Sequence, residues 1–156
     1  MYNIELQHLN IENAQNEVLR AAENICSNFH LEAHFGTLSY ALHELLSLME
    51  RYSDDQSNAF DINFYIEQDT VSIQIVNYQN FKEIERCLYN ASIDDNDTSA
   101  YTFTCLSDRF EFRDDYREMW VEMKLNADIE TIDRAQILEQ ETILSRVKAL
   151  QEKSLQ

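Results

Sequence analysis

Gly36 is the only glycine in the chain, and there is no proline. Glycine is the residue that lets a loop bring bare backbone amides close around a ligand, and that route is closed here almost everywhere. A P-loop needs two glycines and GK[ST], a dinucleotide-binding turn needs GxGxxG, and a nucleophile elbow needs GxSxG. None of these can be written in this sequence. What remains open is chemistry carried by side chains alone, or no chemistry.

A chain of 156 residues is long enough for one domain with a hydrophobic core and short for two. Twelve Lys and Arg stand against 29 Asp and Glu, a formal charge of -17, so the summed field repels phosphate backbones and anionic lipid surfaces. Nucleic acid and membrane are therefore disfavoured as partners. Apolar runs are only a few residues long, and Met1 leads into YNIELQHL without a basic or an apolar leader region. The expectation is a soluble, cytoplasmic chain.

Alternation marks the strands. In AFDINFYIEQDTVSIQIVN, Phe60, Ile62, Phe64 and Ile66 share one side, as do Val71, Ile73 and Ile75, with Glu67 to Thr70 as the turn. The polar alternates Asp61, Asn63, Ser72 and Gln74 predict an antiparallel sheet with one wet face. YNIELQHL predicts a short strand, with Ile4, Leu6 and His8 on one side. Spacings of three and four predict a helix carrying Ile11, Ala14, Val18, Ala21, Ala22, Ile25 and Phe29, capped by Asn10 with Asn13 three residues on. A second helix spans 31–52 with the seam Leu31, Phe35, Leu38, Leu42, Leu45, Met49 and Tyr52.

A short helix follows at 81–92, with Phe81, Ile84, Leu88 and Cys87 inward, and then an acidic loop at 93–99. YTFTCLSDRF fits either a strand or a helix, and a helix at 99–108 is the preferred reading. EFRDDYREMWVEMKLN reads as strand, turn and strand, with Met119, Val121, Met123 and Leu125 on one face. Two helices after one strand, then hairpins with a wet face, predict a two-layer α+β sandwich, a mostly antiparallel sheet covered on one face by helices. The domain spans 1–127, and 128–156 is an amphipathic helical extension with a stripe of Ile129, Ile132, Ile143, Val147 and Leu150. Such a stripe serves packing on its own domain, a homodimer or another partner.

Residues suited to metals are scattered. Cys26, Cys87 and Cys105 are odd in number, far apart and without CxxC spacing, which suits buried thiols in a reducing compartment. His30 and His34 would face the same way on a helix, yet only Glu32 is near as a further ligand. The run DDND at 94–97 lacks the turn glycine and distal Glu of a calcium loop, with Ala100 and Leu106 at the nearest equivalents. No metal site is expected.

The order of these elements, with HELLSLMERYS on the second helix and VSIQIVN closing the hairpin, resembles the GHKL ATPase (Bergerat) fold. The anti-sigma-factor serine kinases and the histidine-kinase ATPase domains are the nearest in kind. In that family the second helix carries E-x-x-x-N, Glu acting on a water or hydroxyl and Asn binding the magnesium of ATP. A following D-x-G-x-G supplies an Asp for the adenine amino group and glycines that make room for the nucleotide. The resemblance covers about residues 2–125 and places the family Glu on Glu44 and the family Asn on Leu48, which cannot ligate a metal. It places the Asp on Asn77 and the two glycines on Gln79 and Phe81, and the acidic SIDDNDTSAY where the glycine-rich ATP lid belongs.

That pattern implies a catalytically degenerate, relict site at Glu44, Leu48, Asn77, Gln79 and Phe81, with no cofactor. The function it implies is protein contact, as a regulatory or adaptor domain in bacterial signalling. Two alternatives are an active anti-sigma-type kinase or histidine-kinase-like ATPase with an atypical nucleotide site, and a small-ligand binder using the relict pocket.

Overall fold

A computed structural model of the chain describes residues 2–54, 58–92 and 98–125. The chain runs β1 (Tyr2–Leu9), α1 (Ile11–Asn28), a 3-10 turn (Glu32–His34), α2 (Phe35–Arg51), β2 (Phe60–Glu67), β3 (Thr70–Val76), α3 (Phe81–Tyr89), α4 (Ser99–Leu106), β4 (Arg109–Arg113) and β5 (Glu118–Lys124). This is the order that the hydrophobic periodicity predicts. The ambiguous segment is helical, as α4, and β4 begins two residues earlier than the sequence suggested. The extension 128–156 and residues 93–97 of the acidic loop lie outside the described residues.

The strands form one five-stranded sheet in the order β1-β2-β3-β5-β4, every neighbouring pair antiparallel. Register follows from alternation, because a slip of one residue would exchange the buried and wet faces. Ile4, Phe64, Ile73, Val121 and Phe110 form one cross-sheet row of the inner face. Leu6, Ile62, Ile75, Met119 and Phe112 form the next. The helices bury their apolar stripes in the same core, so the molecule is an α+β structure consistent with a two-layer sandwich.

Local chemistry sets the helix ends. Asn10 accepts from the Asn13 amide at 2.9 Å, and the Asn13 side chain accepts from the Asn10 amide at 2.9 Å, a reciprocal cap on α1. At the other end His30 is left-handed at φ 55, and the Leu31 amide donates back to the Cys26 carbonyl at 2.8 Å. That is a Schellman ending with histidine in the place glycine usually takes. α2 lies between α1 and α4. It starts at Phe35 rather than 31, because the 3-10 turn takes up the preceding residues.

One alternation fails at a strand end. His8 is exposed rather than inward, because it is left-handed (φ 56) and the β1–β2 register shifts between Leu6 and Leu9. Leu9 takes the inward place, 4 % exposed.

Candidate functional site

α2 carries Glu44 on a face that also buries Ala41, Leu45 and Leu48, and Glu44 itself is 8 % exposed. No ion pair or hydrogen bond engages its carboxylate among the described residues. One turn on, Leu48 is fully buried, an apolar side chain with no atom to offer a metal.

The second half of the site is the corner between β3 and α3. Asn77 is left-handed at φ 72, which turns the strand alternation over by one residue. Asn77 therefore faces solvent, and Tyr78 points into the core. The Tyr78 hydroxyl donates to the Met49 carbonyl at 2.8 Å, and the Asn80 amide donates to the Tyr52 carbonyl. Both acceptors are at the C-terminal end of α2, where a helix leaves its last carbonyls without intrahelical donors. The corner is thus fastened to α2 by capping that end from outside. Burial, with Asp54 and Tyr52 nearby, raises the Tyr78 hydroxyl above the ordinary tyrosine range and keeps it a donor.

Phe81, the first residue of α3, is fully buried and packs on Tyr78 with ring centroids 4.9 Å apart. The Phe112 ring is 5.8 Å from that of Phe81. Gln79 is exposed, so it does not join this packing. The structure therefore separates the five sequence-derived positions into two groups. Glu44, Leu48 and Phe81 are in the core, whereas Asn77 and Gln79 line a surface cavity.

That cavity, about 620 Å³, opens at the end of the sheet. Asn77, Gln79 and Asn80 line it from the corner, Lys82 from α3, and Tyr116 and Arg117 from the β4–β5 turn. Lys82 lies 5.4 Å from the centre of the Tyr116 ring, and the Tyr116 hydroxyl donates to Glu85 at 3.0 Å. Acceptance by Glu85 raises the Tyr116 hydroxyl above its ordinary range. Asp114, Asp115 and Tyr116 are consecutive left-handed residues, φ 53, 53 and 64, so the turn is built without the glycine such backbone favours.

His30 and His34 do not face together: His30 is exposed, and His34 is 1 % exposed with neither ring nitrogen hydrogen-bonded among the described residues. Tyr78 and Asn80 are residues the sequence reading passed over. Their signal was an aromatic residue inside the polar stretch NYQN, and reading it required knowing that Asn77 reverses the alternation.

No helix of the described residues is long and apolar enough to cross a membrane. Models of known protein families and curated proteins give no match to this chain.

Proposed function

We propose that the chain is a catalytically degenerate relative of the GHKL ATPases that acts by protein contact, as an adaptor or partner-switching module in bacterial signalling. The observation that carries this reading is the filling of the space beside α2. Leu48 and Phe81 are fully buried, and Tyr78 reaches across to the Met49 carbonyl. A nucleotide held between α2 and this corner would have to displace well-packed aromatic groups and a buried hydrogen bond. The element order supports the kinship, and Leu48 at the metal-ligand position supports the loss of chemistry.

Thermal melting with and without magnesium and ATP tests the reading. A ligand at about 100 times its Kd stabilises the native state by about 2.7 kcal/mol, a readily seen shift. The expected outcome is an unchanged Tm at millimolar Mg-ATP and no phosphotransfer that Glu44→Ala abolishes. A raised Tm, or a phosphotransfer lost in Glu44→Ala, would return the chain to the active kinases. A second reading, a small-ligand-binding domain, is favoured by the 620 Å³ cavity at Asn77, Gln79, Lys82 and Arg117. A Tm raised by a small metabolite without magnesium, and weakened by Lys82→Ala, would select it.

A further inference from the structure

The outer face of the sheet is turned away from the helix-packed core and carries an ordered aromatic group. Register places Asn3, Tyr65, Ser72, Glu122 and Arg109 in one row across it, and Glu5, Asn63, Gln74, Trp120 and Glu111 in the next. Tyr65 and Trp120 stack with centroids 5.6 Å apart and ring planes 25° from parallel. Arg113 lies over the Trp120 ring of the same pair, 5.0 Å from its centre. Hydrogen bonds fix the group: the indole donates to Glu118 at 2.7 Å, Gln74 donates to the same carboxylate, and Tyr65 and Asn63 donate to Gln74 at 3.2 and 3.0 Å. A half-exposed aromatic pair held in one geometry loses little side-chain freedom on contact, which is what an interface anchor requires.

Beside the stack is a hollow of about 380 Å³, walled by Tyr65, Glu67, Thr70, Ser72 and Glu122. Neither Glu67 nor Glu122 is in an ion pair among the described residues. Two of the cations on this face, Arg109 and Arg113, are already held by Glu111. Two carboxylates beside an aromatic ring attract a cationic side chain, through charge and through the ring face. A second copy of the chain is the wrong occupant, since it would bring the same carboxylates and another -17 charges.

We propose that the outer sheet face is a docking surface for a cationic polypeptide segment, whose arginine or lysine side chain enters the hollow between Tyr65, Glu67 and Glu122 while the segment lies over the Tyr65–Trp120 stack. This deepens the protein-contact reading and rests on it. Trp120 is the only tryptophan, so its emission reports on the face directly.

The test titrates the full chain with a decapeptide of alternating arginine and serine, with the glutamate–serine decapeptide as control, following Trp120 emission. Saturable change is expected with the arginine peptide alone. The double variant Glu67→Gln, Glu122→Gln should weaken binding by about tenfold, against less than about twofold for Glu17→Gln, Glu83→Gln, which removes the same charge from the helix side. Equal weakening by both pairs would reduce the effect to bulk attraction and overturn the proposal, as would binding that leaves Trp120 emission unchanged. A shift of that emission in the full chain carrying Ile143→Asp and Val147→Asp would assign the face to the chain's own extension instead, and also overturn it. The Mg-ATP melt is separate: it bears on the degenerate-ATPase reading, whereas the peptide titration bears only on this surface.

Discussion

Cys26 and Glu44 are both buried side chains, one on each of the two long helices. The Cys26 thiol is 2 % exposed, and burial, with a smaller contribution from Glu32, raises its pKa from 9.0 to about 11. The protonated thiol is the form the fold prefers, so its contribution is complete below pH 9 and is lost as pH rises through about 11. Urea midpoints at about pH 8 and about pH 10.5 should therefore fall further for the wild type than for Cys26→Ala, whose smaller side chain cannot ionise. Equal falls would sink the assignment. The sequence marked Cys26 as a buried thiol from the odd number and wide separation of the cysteines, but the source of the shift is tertiary. Glu44 was legible as an acid on a core helix from the apolar residues spaced three and four apart around it. What meets the C-terminal end of its helix depends on Tyr78, whose hydroxyl reaches the Met49 carbonyl from 34 positions beyond Glu44 in the sequence.

Among the elements, strands and helices whose periods are regular were readable along their length, and most of their boundaries were not. The reciprocal Asn10–Asn13 cap was readable because its chemistry is local. The Schellman ending at His30 was not, since nothing about a histidine announces left-handed backbone. A β-carbon at such a position costs roughly 1–2 kcal/mol in strain, and glycine's extra freedom when unfolded returns part of that. His30→Gly should accordingly stabilise the chain by on the order of 0.5–1 kcal/mol, read as a higher urea midpoint at unchanged slope. A lower midpoint would show that the histidine side chain contributes more than its backbone strain costs. His8 and Asn77 belong to the same class of residue. Each is left-handed at a strand end, and at each the next residue, Leu9 or Tyr78, takes the inward place that alternation assigned to His8 or Asn77. α4 was ambiguous because eight residues can satisfy a period of two and a period of 3.6 together; its packing on α2 makes it a helix.

At the scale of the whole molecule, charge and layering act against each other. A formal charge of -17 repels itself in any compact state, and screening by salt relieves that repulsion. Raising sodium chloride from about 0.05 M to about 0.5 M should lift Tm by several degrees, and a Tm that falls would mean that the exposed ion pairs outweigh the repulsion. Arg20–Glu17 and Arg86–Glu83 are largely exposed pairs one helical turn apart, so their loss in salt is small beside that relief. The sequence by itself determined the order of elements, the faces of the hairpin, the cap of the first helix and the absence of glycine-built phosphate sites. These depend on spacing and residue type, which are local and periodic. Only the tertiary structure decided the strand order, the reversal of alternation at His8 and Asn77, the fastening of the β3–α3 corner to the end of α2, and the stacking of Tyr65 on Trp120. Those features join residues tens of positions apart, and no period in the sequence encodes which distant side chain fills a given space.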